Sequence, residues 1–142
     1  MHPVGRRVLG TAAGLLVGMV VIGAVERIGH LVYPPPPGID LHDRAALEKL
    51  IAEAPAGALM FVACAWLCGT LAGTALARTI EGPGRTIAAV LVGVLLLLAG
   101  IANLLMLPHP AWFVAVGLAA LVAGGLGGTL VAGRFVARRA GN

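Results

Sequence analysis

Charge is scarce in this sequence: 11% of its residues are Asp, Glu, Lys or Arg, and only six of those are acidic. Aromatic residues are scarcer, at 4%. Together these shortages exclude an ordinary water-soluble domain. They also exclude a nucleic-acid reader, which needs a basic face and stacking platforms. Cysteine is limited to Cys64 and Cys68, four apart on a helical stretch. That geometry is poor for a bridge and lacks the Cys-x-x-Cys spacing of redox or metal sites, so both read as small buried apolar filling. No nucleophile motif, phosphate loop or dinucleotide fingerprint occurs. Gly124-Gly125-x-Gly127-Gly128 is glycine-rich but lies inside an apolar run, not between a strand and a helix.

What fills the chain instead is apolar: 59% of the 142 residues are hydrophobic and the mean hydropathy is +0.98. Val8–Val25, Ala54–Ala77, Thr86–Leu107 and Ala111–Gly133 contain no Asp, Glu, Lys or Arg. Each is long enough to cross a hydrocarbon core of about 30 Å as a helix. The pattern predicts an all-α, four-transmembrane-helix bundle forming one integral membrane domain, with spans near 8–33, 56–77, 86–107 and 111–133 and a loop over 34–55. Those elements use almost the whole length and leave no room for a soluble catalytic domain.

The basic residues assign the sides. Arg6 and Arg7 precede the first span, Arg78 and Arg85 bracket the second turn, and Arg134, Arg138 and Arg139 follow the last span. The 34–55 loop sets Arg44 and Lys49 against Asp40, Asp43, Glu48 and Glu53. Positive residues stay cytoplasmic, which places both termini in the cytoplasm and the loop outside, as in a bacterial inner membrane. Arg6-Arg7 and the apolar run after them have the outline of a signal peptide. The helical pattern nevertheless continues through Glu26 to Tyr33, and three spans alone would put the basic ends on opposite sides. The first stretch is therefore read as a retained helix.

Small residues recur at four-residue spacing: Gly10, Gly14 and Gly18; Ala65, Gly69, Gly73 and Ala77; Ala120, Gly124, Gly128 and Ala132. In lipid such faces drive helix association by close backbone approach. They suit an intramolecular bundle, and equally a homo-oligomer or a membrane-protein partner. After the first helix, Pro34-Pro35-Pro36-Pro37 forms a stiff extended connector. A short amphipathic helix follows over about Leu41–Ala54, capped by Asp40 or Asp43, with Leu47, Leu50, Ile51 and Ala54 on one face. Pro108-His109-Pro110 breaks one apolar run into two spans, and Trp112 and Phe113 follow where an aromatic belt belongs.

Chemistry has few places to reside. Glu26, His30 and Tyr33 share a helical face near the end of the first span, and Asn103 lies five residues before Pro108. His109 is in the turn after it, and Asp40, His42 and Asp43 are in the loop. All gather at the extracytoplasmic end. Charged groups near hydrocarbon face an interior, a cavity or a partner, so Glu26, His30, Asn103, His109 and Asp40 form the candidate polar site. Glu26 would carry a proton or cation, with His30 and Asn103 as its hydrogen-bonding partners. The blander alternative puts Glu26 and Arg27 at the headgroup level. No recognised metal-ligand spacing is present, and no metal or cofactor is expected.

Pro35-Pro36-Pro37-Gly38-Ile39-Asp40, Gly69-Thr70 to Gly73, Gly100-Ile101-Ala102-Asn103 and Leu107-Pro108-His109-Pro110-Ala111-Trp112-Phe113 together resemble a group of small bacterial four-helix membrane proteins of uncharacterised function. The resemblance covers most of the chain and implies an inner-membrane bundle without supplying an activity. Some members of that group carry a polar residue before the Gly-Thr pair and an acidic one early in the last helix. Cys68 and Gly117 hold those places here, which argues against a polar relay across the bundle. Three functions stay in competition. The first is a structural or accessory helix-packing protein with a polar cap, in contact chiefly with the lipid bilayer. The others are a small-solute or proton-coupled transporter using Glu26 and Asn103, and an enzyme acting on a lipid or quinone at the outer face. The non-enzymatic reading is preferred.

Overall fold

A computed structural model describes residues 2–38 and 43–140, and among them the regular structure is entirely helical. The helices are α1 (Pro3–Val32), α2 (Arg44–Glu53), α3 (Ala56–Glu81), α4 (Ile87–Met106) and α5 (Ala111–Ala140). All but α2 are long and apolar enough to cross a membrane, so the chain is a multi-pass membrane protein. The long helices overrun their uncharged cores. α1 begins at Pro3, where the fixed φ of proline suits the first helical position and His2 Nδ1 accepts from Val4 N–H. α3 continues to Glu81, four residues past the expected end of the span. α2 is shorter than the Leu41–Ala54 expectation: its N-cap is Asp43, whose carboxylate accepts from Ala45 N–H at 3.0 Å. Asp40, the other cap candidate, lies outside the described residues.

α3 is the centre of the bundle, packed against α1, α4 and α5. The glycine stripes are what bring these helices together. A Cβ on Gly14 would lie 2.6 Å from the Gly73 carbonyl oxygen, and one on Gly73 would lie 2.6 Å from the Gly14 carbonyl oxygen. Gly10 meets Ala77 and Ala88 in the same way, and Gly18 meets Gly69 and Leu96. The antiparallel α1–α3 pair is thus a backbone-to-backbone contact, close enough for Cα–H···O=C interactions. On the other side of α3, Gly124 and Gly128 of α5 approach the Leu67 and Leu71 carbonyls, so these small-residue faces are occupied within the chain. Between the close approaches lie two apolar clusters. One holds Leu59, Ala63, Trp66, Phe113 and Leu121; the other holds Ala77, Ala88, Ala89, Val92 and Leu96.

Two side-chain expectations are corrected. Cys64 and Cys68 are exposed on α3 and are not buried filling. The contact faces of α3 carry Ala65, Gly69, Gly73 and Ala77 together with Trp66, Thr70 and Thr74, which meet the α5 glycines, and Cys64 and Cys68 fall on the remaining face. Phe113 is fully buried rather than part of a belt; Trp112 remains exposed.

At the arginine-bearing end the α3–α4 hairpin turns through Gly82 and Gly84, whose φ values of 96° and 71° suit residues without a Cβ. The residue before the turn, Glu81, is completely buried. Its Oε1 accepts from Arg7 Nε at 3.1 Å, and its Oε2 accepts from Ala88 N–H at 2.9 Å. Thr86, the N-cap position of α4, makes no side-chain cap, so Glu81 caps α4 from outside. Arg6 Nε donates to the Ile80 carbonyl at 2.8 Å, and Arg78 donates to the Gly82 carbonyl. One carboxylate therefore ties α1, α3 and α4 together.

Candidate functional site

The opposite end of the bundle is built around a cavity of about 1010 Å³. α2 has no close backbone neighbour among the other helices. Its apolar residues Leu47, Leu50 and Ile51, and Ala54 just after it, nevertheless line this cavity. Facing them are Tyr33 and the prolines that follow α1, Leu59, Phe61 and Val62 of α3, and Phe113 of α5. The space exists because α2 stands off from the bundle, over its end, instead of packing into it.

Four of the five candidate site residues, Glu26, His30, Asn103 and His109, line this one cavity. The fifth, Asp40, lies outside the described residues, as does His42. Glu26 is half-buried, whereas His30 and Asn103 are exposed. The partnership expected of them differs from the arrangement seen: among the described residues no hydrogen bond joins Glu26 to His30 or to Asn103. Counting along α1, Glu26 is about 28 Å from Arg7 at 1.5 Å per residue, close to the thickness of a hydrocarbon core. With Arg7 at one headgroup boundary, Glu26 stands at the other.

The surrounding elements hold these groups in place. α1 seats its last turns on the start of α3 through two glycines. The Gly29 backbone lies against Phe61, and the Tyr33 ring lies over Gly57. Tyr33 and Phe61 then meet edge to face with ring centroids 6.1 Å apart. His109 stacks on Phe113 at 5.1 Å, and its Nδ1 is 2.8 Å from the Leu107 carbonyl. A carbonyl only accepts, so Nδ1 carries the hydrogen of this contact. A smaller recess of about 260 Å³ adjoins the cavity and shares Leu47, Asn103 and Leu107 with it. Arg44 lies on that recess, but it is paired with Glu48 at 2.8 Å. Comparison with protein families, characterised sequences and solved structures returns no match. The chemistry of the site must therefore be read from its residues alone.

Those residues suit binding. A cavity of this size is at the upper end of the range, roughly 300–1,000 Å³, that holds drug-sized molecules. Its walls are largely apolar, with two carboxylates (Glu26 and Glu53), the Lys49 ammonium, one amide, two imidazoles and a phenol among them. No group of three His, Cys, Asp or Glu converges as metal ligands would among the described residues.

Sequence reasoning missed the Glu81 clamp. Its signal was available: Glu81 is the only acidic residue among the arginines of its end, and it sits just before a span. A lone carboxylate in that setting has cations within reach, and the next helix begins close enough to need a cap.

Proposed function

We propose that this chain is a non-enzymatic accessory protein of a bacterial inner membrane, with both termini cytoplasmic, that holds an amphiphilic molecule at its extracytoplasmic end. Its kinship, on this reading, is with the small four-helix membrane proteins that its proline and Asn-to-Trp-Phe segments resemble. The observation that carries the reading is the stand-off of α2. An amphipathic helix of that kind lies in the headgroup plane. The space under it presents apolar walls, with Glu26, His30, Asn103 and His109 beside them. Such a lining suits a molecule with an apolar body and a polar end. The clustering of arginines at the far end of the bundle supports the orientation. A carrier using Glu26 is less well supported, because behind the cavity α1 and α3 touch backbone to backbone at Gly14 and Gly73.

Trp66 supplies the test, since its ring packs on Phe113 of the cavity wall at 5.7 Å while remaining buried from lipid. In the Trp112→Phe protein in nanodiscs, a neutral brominated alkyl glucoside will quench Trp66 saturably. Quenching that rises only in proportion to bromine in the bilayer would count against the reading. Topology is tested separately: a fluorescent-protein fusion at the C-terminus will fluoresce and an alkaline phosphatase fusion there will be inactive. The opposite pair of results would invert the orientation.

A further inference from the structure

We propose that the cavity at the α2 end selects lipophilic cations, seating the positive centre against the Glu26 carboxylate and the apolar body among Tyr33, Phe61, Leu50 and Leu59. This rests on reading the cavity as an amphiphile site and adds the charge of the occupant. The argument is one of electrostatic balance. On α2, Arg44 pairs with Glu48, and Lys49 lies 4.0 Å from Glu53. Lys49 and Glu53 both line the cavity and offset each other, and Arg44 and Glu48 do not line it, so α2 brings no surplus charge to the cavity. The bundle side brings Glu26, and among the described residues no Lys or Arg forms a salt bridge with it. Arg27, next along the helix, is exposed and does not line the cavity. His30 is the only ionisable neighbour of Glu26 one turn away on α1.

A half-buried carboxylate beside apolar walls has lost part of its hydration and, with Lys49 turned to Glu53, has no salt bridge in return. A cationic ligand supplies the missing partner, whereas an anionic amphiphile meets like charge. Shape then decides the kind of cation. A bare metal ion needs several oxygen ligands, and the described residues offer no such cluster. A bulky organic cation needs one counter-charge, apolar walls and aromatic faces. Tyr33 and Phe61, joined edge to face, supply aromatic surface beside Glu26.

Tetraphenylphosphonium and tetraphenylborate have the same shape and opposite charge, so they isolate this term. Radiolabelled tetraphenylphosphonium will bind saturably to the protein in nanodiscs of zwitterionic lipid, after subtraction of empty discs, and tetraphenylborate will not. Glu26→Gln will weaken tetraphenylphosphonium binding about 10- to 100-fold, the range for one lost Coulombic partner at about 6–10 Å and an effective dielectric of about 20. The melting temperature will not fall, so the loss is one of binding and not of folding. Glu26→Asp, which keeps the charge, will retain most of the binding. Equal binding of the two ions, or wild-type affinity in a folded Glu26→Gln protein, would overturn the proposal. Saturable glucoside quenching without tetraphenylphosphonium binding would remove the cation preference and leave the cavity reading intact. If neither probe binds, both fall.

Discussion

Gly14→Leu will leave little folded protein, and Gly14→Ala will lower the melting temperature clearly, while Gly23→Ala on the same helix will not. The difference follows from what each added carbon meets. A Cβ on Gly14 lies 2.6 Å from the Gly73 carbonyl oxygen, 2.9 Å from the Ala77 Cβ and 3.0 Å from a Val92 methyl. The first of these is backbone and cannot turn aside, so α1 and α3 must separate. Overpacking of this kind costs about 1–3 kcal/mol for a methyl group and more for a larger side chain. In lipid the penalty is not softened by a hydrophobic drive to keep the helices together, because the tails are as apolar as the interface. Gly23 has nothing within 4 Å of its added Cβ and gains helix propensity. Circular-dichroism melting in mild detergent, with size-exclusion profiles, checks all three variants. Equal melting temperatures for Gly14→Ala and Gly23→Ala would show that the stripe is not the contact that holds α1.

Glu81→Ala is the second large effect, with an expected loss of about 2–4 kcal/mol. The substitution removes the acceptor for Arg7 and also uncaps α4 at Ala88 N–H. Glu81→Gln should cost less, because an amide oxygen can still accept one of the two hydrogen bonds. Arg7→Gln should cost more than Glu81→Gln, because it leaves the fully buried carboxylate without its cation, whereas Arg7, 36% exposed, can turn to water when Glu81 is made neutral. The Arg7→Gln and Glu81→Gln pair should be less harmful than the sum of the single changes, as for groups in one network. The same melting assay reads these differences. Additive losses would mean that the two side chains stabilise the bundle independently.

The spans, the amphipathic helix and the Pro108-His109-Pro110 turn are legible in sequence for one reason. Each is marked by a change in the density of charge or proline, and that contrast survives without knowledge of neighbours. The gathering of Glu26, His30, Asn103 and His109 around one cavity follows from the same logic, since antiparallel spans return their ends to one place. Facing directions are another matter. A helix in lipid has apolar surroundings inside and outside the bundle, so periodicity does not tell the buried side of α3 from the exposed one. Cys64 and Cys68 show the consequence: they are as apolar as the residues that pack, and they face out. The glycine stripes were visible, but the pairing of Gly14 with Gly73, or of Gly124 with the Leu67 carbonyl, depends on three-dimensional register. The Glu81–Arg7 contact joins residues 74 apart, and the stand-off of α2 is a matter of loop geometry. The lone acid at that end marks Glu81 but not which arginine it meets, and the stand-off of α2 leaves no local pattern to read.

Native mass spectrometry of the protein released from membrane-derived nanodiscs addresses the cavity most directly, with Ala58→Trp as comparison because Ala58 lines the space that the indole would fill. The predicted result is a discrete amphiphile mass retained by the wild-type chain and missing from Ala58→Trp. A bare chain, or the same ladder of bulk lipid on both proteins, would contradict a binding role for the α2 end.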